Sequence, residues 1–273
     1  MNITRLSILA IAVASLSGCF EANKNTDQLC SSNPELRCEK LNINDGQCRI
    51  PRTDLIWHRF EVLKNPSDVN VIEEYRLVSV YRKCLELASQ IQPLDQTNVK
   101  ERRFNALMHT GEEQERIVEH LRSSKSPETL YFLWSQTGDE TARREFLQLE
   151  GTPKLNTADM QYALATFYTS RDQDKTINLL NNALELSRQG QINTEIFKTL
   201  ASTHYRLNNK ERAYIWAMVA KSFNVPIASE QEIQLLYGFS ESHYAKLEKI
   251  ADNIEDAVKS GSFKRSMIPG QIK

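Results

Sequence analysis

Five cysteines, Cys19, Cys30, Cys38, Cys48 and Cys84, hold the most versatile side-chain chemistry in this chain. A thiol can be acylated, paired or committed to a metal, and its spacing and compartment decide which. Cys30, Cys38 and Cys48 fall in the polar segment LCSSNPELRCEKLNINDGQC at C-x7-C and C-x9-C. A tetrahedral zinc centre usually shows a paired C-x2-C, so this spacing argues against a metal. The residues ahead of Cys19 read as a secretory signal: Arg5 beside the amino terminus, an apolar run from Leu6 to Leu16, and the small pair Ser17-Gly18. That run is too short to span a bilayer, which needs about 20 apolar residues in helix. With Cys19 set aside, an even number of cysteines enters an oxidising compartment. Cys30, Cys38, Cys48 and Cys84 can form two disulfides in any of three pairings. Local staples suit a segment too poor in apolar residues to fold alone. Cys84, within EYRLVSVYRKCLELA, has a rival reading as a plain buried thiol.

Other chemistry is sparse. The sequence has no G-x-G-x-x-G, no phosphate loop, no H-E-x-x-H and no G-x-S-x-G. The histidines His58, His109, His120, His204 and His243 never recur at i, i+3 or i+4, so none forms a metal pair on a helix face. His204 lies on an apolar face and reads as a packing residue. Glu112-Glu113-x-Glu115 reads as a solvated helix face. Trp57, Arg59 and Phe60 are residue types that dominate interfaces, but their spacing fits packing over a helical core first. No catalytic residue, cofactor or metal is expected. The competing class is an envelope hydrolase whose site is assembled from distant residues; a purely structural envelope role is a third reading. Lys and Arg number 34 against 35 Asp and Glu, a balance that argues against nucleic acid as a partner.

Leu16-Ser17-Gly18-Cys19 resembles the lipobox of bacterial lipoproteins. The resemblance implies cleavage before Cys19, a diacylglyceryl group on its sulfur and an acylated amino terminus. Phe20 in place of an aspartate after the cysteine favours the outer membrane of a Gram-negative cell, with the chain on its periplasmic face. The membrane would then be one partner of the protein.

The elements that must position these residues are helical. Positions 20–55 are rich in Asn, Asp, Ser and Pro and read as a tether with an irregular, cysteine-containing cap. From about residue 68 apolar residues recur at three and four. Helix starts are marked by Ser126-Pro127-Glu128, Asn156-Thr157, Asn193-Thr194 and Ser229-x-x-Glu232; stops fall at Gly138, Gly151, Gly190 and Asn208-Asn209. Alternating β-branched runs are nearly absent, so the fold class is all-α.

These helices repeat. In the segment starting at Asn193, Ala201, Ala213 and Ala220 are separated by twelve and seven and followed by Pro226, with apolar Leu200 before them. The preceding unit offers Leu164, Ala165, Tyr168, Thr176, Leu180 and Ala183, and Leu130, Trp134, Ala142 and Phe146 mark a degenerate earlier copy. The pattern resembles the tetratricopeptide repeat, and the whole layout resembles an uncharacterised group of Gram-negative lipoproteins. This implies an α-solenoid of antiparallel helix pairs over 126–227, after a signal at 1–18, a tether and cap at 19–55 and a helical region at 56–125, with capping helices and tail at 228–273. In such repeats the first helix of each unit lines a groove for a peptide or helix. Position by position this selects Glu195, Lys198, Ser202, Tyr205 and Arg206, and in the earlier unit Asp159, Tyr162, Thr166, Thr169 and Ser170. Tyrosines among polar groups suit an adaptable peptide surface, and Lys198 with Arg206 suits an acidic segment. The function implied is an adaptor that holds an envelope protein or peptide.

Overall fold

The computed structural model describes residues 25–91 and 97–270, so Cys19 and the signal lie outside the described residues. Among those described, the chain is all-helical and contains no strand. The described residues divide into two compact units, the first ending at Leu133 and the second beginning at Trp134.

The first unit contains α1 (Thr26–Ser32), α2 (Arg49–Lys64), α3 (Asp68–Ser89) and α4 (Thr97–Leu121), each packed on the next. Asn25 and Gln28 form a capping box that starts α1. Between α1 and α2 the chain runs through two short 3₁₀ turns and reverses at Arg37, Asn42 and Cys48, each left-handed at a φ of 52–58°. Disulfides Cys30–Cys38 and Cys48–Cys84 select one of the three possible pairings, a local staple and a tie from the end of the cap to α3. Cys84 is therefore a paired residue. Leu29, Leu36 and Leu41 plug the cap against the helices.

An irregular segment leaves backbone carbonyls that no ladder satisfies, and here arginines satisfy them. Arg52 donates to the Asn42 and Asp45 carbonyls at 2.7 and 2.8 Å, Arg59 to Leu36 at 3.1 Å, and Tyr81 to Leu41. Asp45 in turn holds Arg103 of α4 at 2.6 Å. Glu113 is the centre of a second network. Arg37 reaches its two oxygens at 2.6 and 2.8 Å, Arg59 lies at 2.9 Å and Arg116 at 3.1 Å, while Arg59 also meets Glu74 at 3.1 Å. Glu113 is 2% exposed, which corrects the solvated-face reading of Glu112-Glu113-x-Glu115: Glu112 and Glu115 do face water, but Glu113 points into the core. Arg59 is likewise a core ion, whereas Trp57 lies at the surface.

Helix α5 (Pro127–Thr137) carries the division between the units. The second unit continues with α6 (Glu140–Gln148), α7 (Ala158–Tyr168), α8 (Gln173–Leu186), α9 (Glu195–Arg206), α10 (Lys210–Ser222), α11 (Glu230–Tyr237) and α12 (Glu241–Lys259). Local sequence sets the boundaries. Thr157 and Asp172 cap α7 and α8, and Ser229 with Glu232 closes a capping box on α11. Gly138, Gly151, Gly190 and Asn208 all take positive φ at the turns. Helices α7, α8, α9 and α10 pack consecutively, with Ala165, Ala183, Ala213 and Ala220 buried where backbones approach. After α10 the order changes: α12, rather than α11, packs extensively on α10. The tail then passes α10, with Phe263 buried against Trp216, and reaches α8, where the Arg265 amide donates to Glu185 at 2.7 Å. Gly261 permits this return, since its φ is +71° and an added Cβ would lie 3.3 Å from the Gln189 nitrogen.

Burial pushes the Glu113 carboxyl pKa up, but Arg59, Arg116 and Arg37 outweigh it and hold it below its ordinary 4.5. With the folded value below the unfolded one, the network stabilises fully above about pH 4.5, and that stabilisation is lost as pH falls through the folded value. Removing one partner of a buried ion cluster costs about 3–5 kcal/mol. Chemical denaturation at pH 7 should show a loss of that order for Glu113→Ala and about 0.5 kcal/mol or less for exposed Glu112→Ala. Equal losses would contradict the assignment of Glu113 as the central ion.

Candidate functional site

Four of the five residues selected on α9 border a groove of about 370 Å³ within the second unit, and Glu195 is not among its lining residues. Lys198, Ser202, Tyr205 and Arg206 form its α9 side. Ala201, Ala217 and Ala220 form a floor with no side chain beyond Cβ, and this leaves the space open. The far wall is Ile227, Ala228, Ile233, Leu236 and Tyr237, from the turn after α10 and from α11. Among the described residues, the lining is apolar apart from Ser202, the tyrosine hydroxyls, Lys198 and Arg206. Such a surface is suited to holding an apolar side chain.

The cations sit at opposite ends. Lys198 and Arg206 are eight residues apart on α9, about 12 Å along the axis at 1.5 Å per residue. Glu195, one turn before Lys198, pairs with it at 2.6 Å, so the positive charge at that end is already answered. Arg206 is exposed and contacts the Thr203 hydroxyl at 3.4 Å. Arg206 therefore supplies the net positive end of the groove.

Helix α11 separates this groove from a second cavity of about 300 Å³, lined by Tyr214, Met218, Tyr244 and Glu248; Ile233 borders both. Leu235 of the same helix is 87% exposed. Aromatic rings secure its carboxyl end: Tyr237 meets Tyr205 at 6.0 Å and Tyr214 at 5.4 Å, and Tyr214 meets Tyr244 at 4.9 Å. The Tyr214 hydroxyl donates to Glu248 at 2.9 Å; burial, then Glu248, pushes its pKa up. Burial raises Tyr237 as well, so both phenols stay protonated at neutral pH.

Tyr162 is not among the lining residues: it lies half-buried on α7. Asp159 borders a separate polar cavity of about 720 Å³ with Thr157, Arg188 and Asn193. Sequence reasoning missed the floor residue Ala217 and the α11 wall. The signal available was the apolar Ile233-x-x-Leu236-Tyr237 spacing behind the Ser229 cap, which marks an amphipathic helix without naming its neighbour. His204, next to Tyr205, is 2% exposed and points away from the groove lining into the unit. Its Nδ1 has no hydrogen-bond partner, and burial, then Arg212, pushes its pKa down to about 4.

The chain is an all-helical protein with a disulfide-stapled first unit and an apolar groove on its second. It belongs to the family described as "Protein of unknown function (DUF2989)", which matches residues 16–218. The match takes in Cys19 and the four paired cysteines and ends within α10, before α11. No curated protein and no solved structure matches the chain.

His204 gives unit two a distinct acid response. It is neutral in the folded state and binds a proton more readily when unfolded, so its share of stability is complete above pH 6.5 and is lost as pH falls through about 4. Between pH 8 and pH 5 the expected loss is on the order of 2 kcal/mol. Thermal unfolding at pH 8 and pH 5 should show a smaller drop for His204→Phe than for wild type. An unchanged drop would contradict the burial of a neutral imidazole at this site.

Proposed function

We propose that the protein is a lipid-anchored adaptor of the bacterial envelope, held by a lipid on Cys19 at the periplasmic face of the outer membrane, with a tetratricopeptide-like scaffold that binds a protein segment. The observation that carries this reading is the groove over Ala201, Ala217 and Ala220, bordered by four of the five α9 residues that the repeat pattern selects. Support for the repeat comes from the consecutive packing of α7 to α10 and from buried alanines at its small positions. The occupant is a helix or peptide with an apolar anchor seated on the alanine floor and an acidic group near Arg206. The anchor alone supplies about 2–3 kcal/mol, and micromolar affinity needs about 8 kcal/mol. Further contacts along Ser202, Tyr205 and Tyr237 must therefore contribute.

A photoreactive residue in place of Tyr205, in intact cells, should capture a discrete envelope protein. Ala217→Leu fills the floor and should reduce that capture about tenfold or more, equivalent to 1.4 kcal/mol, with folding checked by thermal melting. A photoreactive residue at exposed Lys83, in the first unit, should not yield the same product. Capture indifferent to Ala217→Leu would overturn the groove as the binding site.

A further inference from the structure

We propose that the outward face of α2 around Trp57 is the surface with which the first unit rests on the bilayer interface. The inference rests on the lipid anchor proposed for Cys19 and gives that anchor an orientation. From Cys19 to Asn25 is six Cα steps, which even fully extended reach only about 20 Å. Helix α1 starts at the next residue, Thr26, and the Thr26 hydroxyl accepts the Trp57 indole N–H at 3.2 Å. Trp57 is thus fixed at the point where the tether enters the fold. A lipid on Cys19 would keep this edge within about 20 Å of its membrane whatever the rest of the unit does.

The residues at that edge fit an interface. Arg52, Leu55, Ile56 and Arg59 bury one side of α2. Ile50 and Trp57, seven residues apart, share the opposite stripe, at 71% and 37% exposure. Phe60 lies beside Trp57, half-buried, with the Lys64 ammonium 4.0 Å over its ring. An aromatic body beside a lysine whose stem follows apolar surface is the arrangement that places rings at headgroup level and the charge in water. Charge on this face balances. Arg49 and Lys64 are offset by Asp54 and Glu61, with Glu61 already 3.4 Å from Lys64. The fit is therefore to neutral, zwitterionic lipid. The patch is too small to hold a membrane alone and acts through the high local concentration that a short tether creates.

The test uses the full lipidated protein in phosphatidylcholine vesicles with brominated acyl chains, read by tryptophan emission. The protein should float with the vesicles, and its emission should be partly quenched relative to unbrominated vesicles. Trp57→Phe should abolish the quenching and Trp134→Phe should retain it. Ile50→Asp, which leaves Trp57 and its Thr26 bond in place, should weaken it. Flotation with no quenching, or with quenching indifferent to Trp57→Phe and Ile50→Asp, overturns the assigned face. No flotation and no acyl mass on Cys19 overturn the anchor reading, and this assignment with it.

Discussion

A carboxylate removed from water must be answered by cations within contact distance, and the first unit is organised around that requirement at Glu113. The cations come from three places in the chain: Arg37 from the cap, Arg59 from α2 and Arg116 one turn along α4. Arg37 takes a left-handed backbone to get there, a conformation that costs about 1–2 kcal/mol and that its bidentate bond to Glu113 offsets. The disulfides serve the same architecture. Cys30–Cys38 closes the turn that presents Arg37, and Cys48–Cys84 fixes the end of the cap to α3, which supplies Glu74. A polar segment with few apolar residues thereby becomes a rigid lid on three helices.

The second unit is built on size rather than charge. Alanines let α7 to α10 approach closely, and where the partner backbone is absent the same small residues leave a floor. Ala213 is fully buried between helices, whereas Ala217, four residues on, borders the groove. The difference arises after Pro226. Helix α12 takes the packing position on α10, and α11 stands aside as a wall with a cavity on either side. A groove with an apolar floor, two tyrosines and one net cation results.

Features set by neighbours in sequence were legible without a structure. The capping box at Ser229 and Glu232, the cap at Thr157 and the left-handed stops at Gly151 and Gly190 each depend on a few adjacent residues. Cysteine parity predicted two disulfides, yet the pairing depended on chain reversals at Arg37, Asn42 and Cys48 that composition does not announce. Glu113 was misread for a related reason. Its local string is acidic and polar, and two of the three arginines that hold it, Arg37 and Arg59, lie 76 and 54 residues away. On the groove, the repeat pattern selects Lys198, Ser202, Tyr205 and Arg206 because register along one helix is local, but it also selects Glu195 and Tyr162, which do not line it. It left out Ala217 and Leu236 because their place depends on which helix α10 chooses as its neighbour.

Binding of a protein segment over Ala201 and Ala217 is the central claim, and an NMR titration tests it most directly. Peptides from a photocaptured partner, carrying its apolar anchor and acidic residue, would be added to isotope-labelled protein. Saturable shifts should centre on Ala201, Tyr205, Ala217, Leu236 and Tyr237, with loss of binding when the anchor is replaced by alanine. Shifts confined to the polar cavity beside Asp159 and Arg188, or none at concentrations where the partner binds, would contradict it.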